Sequence, residues 1–406
     1  MADLLKLVAV MALTVALLVR RWNLGLVLLL DSLLTALLFG YPLVGWIESL
    51  ARGVVAPATL NLVLAVFLVL LLAELMRHTR ATQGMVDALQ VLVPDGRISV
   101  ALLPLVLGLM PMLGGAMFSA PMVDEVGTPL GMGAGRKTFV NYWFRHATEY
   151  VFPLYSSLLV VSALLGVSVY EFIAAAWPLT VVALVSGLLW GIVGVSKSSG
   201  SGPLGGRSVR RSAWSRLLSS TWPLLLVILT VAVLRLPMSY SLVGVIVIYI
   251  AARRVPARVW WRIVKASFPI TTFAAIFGVM VFKQVIEDSG AVSQIPQALM
   301  LLGLPSMLVA FAVPLLVGLL TGTAAAALAL SVPLAAPLLA GSALSDMGAG
   351  VWLFVGGFSG ILLSPLHLCL ALTKDYYGAT WGKLYRRIVP SVALVVAFAV
   401  VWVRLL

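Results

Sequence analysis

Charged residues are scarce in this sequence. Asp, Glu, Lys and Arg make up 10% of its 406 residues, whereas a soluble domain carries about 25%. This shortage excludes a water-soluble globular protein. The apolar runs also lack the alternation of apolar and polar residues that is typical of transmembrane barrel strands.

Cysteine and histidine are scarce as well, with one and three copies. Cys369 lies inside an apolar segment, so we expect neither a disulfide framework nor a thiolate metal site. The sequence contains no nucleophile elbow, no phosphate-binding glycine loop and no metal-ligand spacing. We therefore expect no enzyme, no metal site and no cofactor other than Na⁺ as a coupling ion.

Long apolar runs fill the chain, in which 62% of residues are hydrophobic. Each is close to the length that crosses a ~30 Å hydrocarbon layer as a helix. The sequence thus predicts an all-α polytopic membrane protein. We expect crossings at 4–19, 24–39, 60–76, 139–165, 172–195, 222–234, 238–252, 268–286, 351–372 and 388–403.

Two further apolar stretches, 98–126 and 305–340, are interrupted by Gly, Pro, Ser and Thr. We interpret each as a re-entrant helical hairpin. With this topology most of the 27 Lys and Arg residues fall in loops on one side, as the positive-inside rule requires. The net charge of +13 therefore orients the chain in a prokaryotic inner membrane, with both termini outside, and does not indicate nucleic-acid binding.

The two halves of the chain resemble each other. Ser119-Ala-Pro121 recurs as Ser331-Val-Pro333, and Pro153-Leu-Tyr155 recurs as Pro365-Leu-His367, both at an offset of 212 residues (331 − 119). A Gly/Ser-rich basic stretch, 196–217, is predicted to be a cytoplasmic linker between repeats 1–195 and 218–406. Because each repeat has five crossings, the second repeat is inverted relative to the first, an architecture typical of secondary transporters.

This arrangement resembles the ion-transporter superfamily, which includes dicarboxylate, citrate, gluconate, lactate and arsenite permeases. The hairpin 108–121 and the segment 364–378, SPLHLCLALTKDYYG, are similar to an uncharacterised prokaryotic integral-membrane family within it. The resemblance implies a homodimer in which a transport domain slides against a scaffold, an elevator mechanism. It also implies substrate binding at the hairpin tips, where carboxylate carriers often have Ser-Asn-Thr and this chain has Gly114-Gly115-Ala116 and Thr321-Gly322-Thr323.

Two opposite charges, Arg145 and Glu149, interrupt one apolar run. At a spacing of four they share a helix face, so they could form a structural ion pair. Alternatively, Arg145 presents its guanidinium to an anionic substrate and Glu149 takes part in cation coupling. The sequence does not decide between these hypotheses.

His146 and His367 lie on the two long helices that are predicted to break at Pro153 and Pro365. A histidine can relay a proton near neutral pH, or it can simply bond to a carbonyl freed by the break. Ser359 lies within a glycine-rich run at 356–360 that could let the helix unwind, and Ser364 follows this run. Both are candidates for cation coupling together with Glu149 and His146. His367 is also a candidate for substrate binding.

The hairpin tips offer hydroxyl groups and unpaired backbone N–H groups, which suit an anion. Small residues there could instead serve helix packing. The candidate substrate-binding residues at the tips are Gly114, Gly115, Ser119, Thr321, Gly322, Thr323 and Ser331.

Together these features predict a secondary active transporter of a small, carboxylate-like anion, coupled to Na⁺ or H⁺. Its partners would be the anionic substrate, the coupling cation, membrane lipids and a second copy of the chain. One alternative is an inorganic-ion or lipid-phosphate carrier of the same fold. An intramembrane enzyme is the alternative that is not a transport protein.

Overall fold

The computed structural model of the chain consists of helices joined by short connections. It describes residues 2–20, 22–93, 95–109, 115–196, 207–291, 305–340 and 342–406, and these contain no β-strand. In chain order the helices are α1 Ala2–Val19, α2 Leu24–Leu38, α3 Leu43–Val55, α4 Pro57–His78, α5 Ala81–Leu92, α6 Gly96–Gly108, α7 Ala116–Gly127, α8 Ala134–His146, α9 Ser156–Leu165, α10 Val169–Gly187, α11 Arg207–Ile228, α12 Met238–Arg253, α13 Trp260–Ala266, α14 Ile270–Asp288, α15 Ser306–Thr321, α16 Ala324–Ala335, α17 Asp346–Leu363, α18 Leu368–Tyr377 and α19 Trp381–Trp402.

Six helical stretches in the described part of the chain are long and apolar enough to cross a membrane. They are Pro57–His78, Val169–Ile192, Ser208–Val233, Ile270–Asp288, Asp346–Tyr377 and Trp381–Trp402. The all-α class is confirmed, and the fold is consistent with a multi-pass membrane protein. Two other predicted crossings, 24–39 and 238–252, form helices of only 15 and 16 residues, so the count of ten crossings stays a prediction.

Each of the two predicted hairpins contains a pair of short helices in contact. Helices α6 and α7 form the first pair, and α15 and α16 form the second. Between α15 and α16 the chain turns at Gly322, whose φ of +64° is a left-handed conformation that glycine adopts at little cost. The tip of the first hairpin, 110–114, lies outside the described residues, and so does the candidate residue Gly114.

Two long apolar runs are broken where the sequence places a proline. Helix α8 ends at His146 and α9 begins at Ser156, with Pro153 between them. Helix α17 ends at Leu363, and the extended Ser364 (φ −74°, ψ 122°) precedes Pro365. Proline removes a backbone donor and disfavours helical geometry in the residue before it, which explains why α17 ends before Pro365 and why no helix runs through Pro153. The glycine-rich run 356–360, in contrast, does not unwind and stays within α17.

Glycines let the first helix of each hairpin pack closely against a broken helix. A Cβ atom on Gly108 would lie 2.3 Å from the carbonyl oxygen of Arg145 in α8. In the second half, a Cβ on Gly318 would lie 2.4 Å from the oxygen of Gly357, and one on Gly360 would lie 2.1 Å from that of Leu315. Small residues allow such backbone contact between apolar helices, so the hairpins are positioned against the helix breaks.

We expect Gly360→Ala to destabilise the protein, because the new methyl group would force α15 and α17 apart. Overpacking of this kind costs about 1–3 kcal/mol. Gly244→Ala is the matched control: Gly244 also lies within a helix, but a Cβ atom there would meet no atom of the described residues within 4 Å, so the alanine should be neutral or stabilise by up to ~1 kcal/mol. The melting temperatures of the two detergent-purified variants test this, and equal values would contradict the packing argument.

The structure adds two amphipathic helices, α3 and α5, to the predicted elements. Helix α3 is attached to α14, because the Ser49 hydroxyl donates to Asp288 at 2.6 Å and Arg52 lies 3.1 Å from the same carboxylate. The structure also differs from the sequence prediction in the linker 196–217, part of which is helical. Helix α11 begins at Arg207, since no Gly or Pro follows until Pro223, so residues 207–217 are helical and 197–206 lie outside the described residues.

Candidate functional site

The two helix breaks bring His146 and His367 into contact. Their Nε2 atoms lie 3.1 Å apart, and their rings meet edge to face with centroids 5.0 Å apart. His146 is the last residue of α8, and His367 is the residue just before α18. The predicted site residues of the two halves therefore meet at one point, although 221 positions separate them along the chain.

Backbone carbonyls hold both imidazole rings in place. Nδ1 of His146 bonds to the carbonyl oxygen of Tyr142 at 2.7 Å. Nδ1 of His367 bonds to the carbonyl oxygen of Gly322 at 2.7 Å. Because a carbonyl only accepts hydrogen bonds, each Nδ1 carries the proton. The contact to Gly322 also joins the second hairpin tip to the break in α17–α18.

Tyr142 fixes this pair from the side. Its ring centroid lies 4.6 Å from that of His146 and 5.6 Å from that of His367. Its hydroxyl donates to the carbonyls of Ile361 and Leu362, each at 3.3 Å. These carbonyls belong to the last turn of α17, where the helix break leaves them without the usual i+4 partners. The carbonyl of Ile361 also accepts from the N–H group of Ser364 at 3.0 Å.

Arg145 and Glu149 lie at the same break and are almost fully buried, at 4% and 8% exposure. Nη1 of Arg145 donates to the carbonyl oxygen of Leu107, near the end of the first hairpin helix, at 3.1 Å. The carboxylate of Glu149 lies 3.8 Å from Nε2 of His146. Both hypotheses for Arg145, structural ion pair and substrate ligand, stay open.

The first hairpin reaches the site through Asn141. Its side-chain amide donates to the carbonyl oxygen of Ala116, the first residue of α7, at 3.0 Å and to Oγ1 of Thr373 in α18 at 3.3 Å. The Tyr377 hydroxyl donates to Ala120 at 2.6 Å. Helix α7 is thus held between α8 and α18, so parts of both hairpins and both helix breaks surround one buried centre.

The hydroxyl groups of the candidate Ser and Thr residues differ in their hydrogen-bond partners. Ser119 and Ser331 donate to carbonyls within their own helices, and Ser364 donates to Leu319 at 2.6 Å. Thr321 contacts the backbone of Thr323 at 3.5 Å. Ser359 is fully buried, and its hydroxyl has no hydrogen-bond partner within the described ranges.

Tyr142, Asn141, Thr373 and Cys369 belong to the site but were not among the candidates from the sequence. None of them is a charged residue, so no buried charge marked them. Cys369 is the second residue of α18. Its thiol, a ring nitrogen of His146 and a ring nitrogen of His367 all lie within 4.8 Å of one another. The spacing of His367 and Cys369 could have drawn attention to the segment, but their partner in the other half could not be located from spacing.

Gly115 precedes α7 and Thr323 precedes α16, and neither helix start is capped by a side chain of that residue. In the first turn of α7 the N–H group of Phe118 donates to the carbonyl oxygen of Gly115 at 3.0 Å, and that of Ala116 faces the Cys369 thiol.

One family model, described as "Protein of unknown function (DUF401)", matches residues 1–406. The chain belongs to the DUF401 family. No curated protein matches it.

In this DUF401 chain a basic cleft of about 540 Å³ lies at the other end of α8. Its cationic side chains are Arg136, Lys383, Arg386 and Arg387. The 13 residues of α8 span about 18 Å at ~1.5 Å per residue. The cleft and the histidine pair are therefore joined by one helix.

Proposed function

We propose that this chain is a secondary active transporter of a small, carboxylate-like anion in a prokaryotic cell membrane. A gradient of Na⁺ or H⁺ would drive it, by an elevator-type movement within a homodimer. The observation that carries the proposal is the convergence of two helix breaks and two helical hairpins on the partly buried contact between His146 and His367. Substrate sites of secondary transporters form where discontinuous helices of two repeats meet.

Equivalent positions in the two halves support a repeat. Helices α9 and α18 begin at Ser156 and Leu368, an offset of 212 residues (368 − 156). Tyr155 and His367 share that offset, and each contacts a carbonyl at the end of its own hairpin's first helix, Gly108 and Gly322 respectively. With an odd number of crossings in each half, the second repeat would be inverted and the hairpins re-entrant from opposite sides.

Positive charge favours an anion as the substrate. Arg145 provides a buried guanidinium, and the starts of α7 and α16 add the partial positive charge of helix N-termini. The basic cleft at the start of α8 would attract anions toward this centre. Together with the resemblance to the ion-transporter superfamily, these features favour a carboxylate-like substrate. An inorganic-ion or lipid-phosphate carrier of the same fold is the alternative.

Ligand-dependent thermal unfolding tests the proposal. The detergent-purified protein would be heated with carboxylates, oxyanions and phosphates, each with Na⁺ or K⁺ and over a range of pH. A ligand at 100 times its Kd adds ~2.7 kcal/mol to the stability of the folded state. We expect one anion class to stabilise the protein, and a requirement for Na⁺ or for acidic pH would identify the coupling ion. Stabilisation by none of the anions would contradict the proposal.

Neutralisation of the basic cleft should slow transport. We expect the double variant Lys383→Gln/Arg386→Gln to lower the initial rate of anion uptake about tenfold at low ionic strength, because it weakens electrostatic attraction. The difference should shrink at ~0.5 M salt, where screening is strong. Arg258→Gln/Arg262→Gln, which removes the same charge from exposed positions elsewhere, is the control; an equal loss in the control would exclude a role for the cleft.

A further inference from the structure

The contact between the two histidines has an unusual electrostatic requirement. Both Nδ1 atoms donate to carbonyl oxygens, of Tyr142 and Gly322, at 2.7 Å. In neutral imidazoles both Nε2 atoms then present lone pairs. These atoms face each other at 3.1 Å, where two lone pairs repel unless a shared proton or a metal cation lies between them.

A third potential metal ligand, the thiol of Cys369, completes the cluster. The ligand atoms of His146, His367 and Cys369 lie within 4.8 Å of one another. Cys369 is the chain's only cysteine. One ligand comes from α8 and two come from the start of α18, so the set joins the two helix breaks.

We propose that His146, His367 and Cys369 bind one soft or borderline transition-metal ion, Cu⁺ or Zn²⁺. Imidazole suits both ions, and thiolate selects for them. With metal–nitrogen bonds of about 2.0–2.1 Å, a separation of 3.1 Å gives an angle at the metal of about 100°. This is close to tetrahedral geometry. The sulfur, within 4.8 Å of a nitrogen of each ring, would move toward the metal to reach the usual bond length of about 2.3 Å.

The surroundings of the cluster fit metal ligands. A metal-bound histidine typically donates its other ring N–H to a carbonyl, which fixes its orientation, and both histidines do so here. On binding, the thiol loses its proton to solvent and the thiolate forms the bond to the metal. The charge of the thiolate offsets that of Cu⁺. Arg145, whose guanidinium lies beside the Cys369 thiol, and Glu149 lie at the same break.

This inference goes beyond the proposed transport function, because binding requires no gradient and no anion. A metal held by α8 and α18 would tie the two helix breaks together. A failure of metal binding would leave the transport proposal intact, and a failure of transport would leave the metal site intact.

Metal loading of the detergent-purified, full-length chain tests the site. The chain should carry an affinity tag without histidine and be incubated with Zn²⁺ in one arm and with Cu⁺ plus ascorbate in the other. After removal of unbound metal, we expect one ion per chain in at least one arm. Loading with Co²⁺ should produce a thiolate-to-cobalt charge-transfer band, which can come only from Cys369.

Three variants make this test specific. Cys369→Ser should remove the charge-transfer band, and both Cys369→Ser and His367→Gln should weaken binding at least tenfold, since the loss of even an outer partner costs ~10–100-fold. His78→Gln is the control, because His78 is exposed at the end of α4, outside the cluster. Its binding should equal that of the parent protein.

X-ray absorption by the metal-loaded parent protein provides a readout that does not depend on the folding of variants. We expect one sulfur and two imidazole nitrogens in the first coordination shell. A shell of nitrogen and oxygen alone, or no metal retained in either arm, would overturn the proposal. Equal loss of binding in His78→Gln would do so as well.

Discussion

Replacement of Arg145 by alanine should strongly weaken specific anion binding while leaving a folded, monodisperse protein. A charge-assisted hydrogen bond to a ligand contributes about 1.5–3 kcal/mol, which corresponds to a ~10–150-fold loss of affinity. Arg145→Lys should retain part of the affinity, because lysine keeps the charge but lacks the planar fork that matches a carboxylate. Anion-dependent stabilisation of the three proteins measures the effect.

The hypothesis of a structural ion pair predicts a different outcome. Removal of one partner of a buried pair costs about 3–5 kcal/mol, because the other charge stays buried without compensation. In that case Arg145→Ala would be poorly folded, and the double variant Arg145→Ala/Glu149→Gln would recover stability and anion binding. Recovery of binding in the double variant would contradict the role of Arg145 as a substrate ligand.

Gly322→Ala should have the largest effect on the second hairpin. The left-handed φ of +64° costs an alanine roughly 1–2 kcal/mol. In addition, the new Cβ would lie 2.7 Å from the carbonyl carbon of Leu366 and 2.8 Å from the backbone nitrogen of His367. We expect a loss of at least ~3 kcal/mol of stability and loss of the contact between the hairpin and His367.

Gly40→Ala separates the two contributions to that loss. Gly40 has a similar φ of +70°, but a Cβ atom there would have no neighbour within 4 Å in the described part of the chain. It should therefore incur the conformational cost alone. Chemical or thermal unfolding of both variants measures the difference, and equal destabilisation would show that the close contact at Gly322 contributes nothing.

The sequence located the breaks and hairpins because local chemistry encodes them. Proline at 153 and 365 cannot continue a helix, and the small residues at the tips interrupt apolar runs. The interpretation of the run 356–360 as an unwound segment was wrong, since its glycines serve packing against α15. A glycine pattern alone does not distinguish a flexible backbone from a close helix contact.

Amphipathic helices were missed for a related reason. Helices α3 and α5 contain Glu48, Arg52 and Asp87, so they do not form the uniform apolar runs that indicate a membrane crossing. Helix α11 begins inside the predicted linker, because a basic, serine-rich stretch without glycine or proline is compatible with a helix once it can pack against α5.

The contact between His146 and His367 could not be predicted from the repeat. The alignment of the halves places His367 on Tyr155, not on His146. Which residues meet across the two halves depends on how the broken helices pack, and no local pattern encodes this. For the same reason Cys369 could not be assigned to the site from the sequence, since its partner His146 lies in the other half of the chain.

Uptake of the stabilising anion into proteoliposomes tests the central claim of secondary active transport most directly. With an imposed Na⁺ or H⁺ gradient, we expect the anion to accumulate inside above its outside concentration, and a matching ionophore should abolish this accumulation. Proteoliposomes with Arg145→Ala serve as the control and should show background uptake. Absence of uptake under both gradients, or chemical conversion of the substrate without any gradient, would contradict the account.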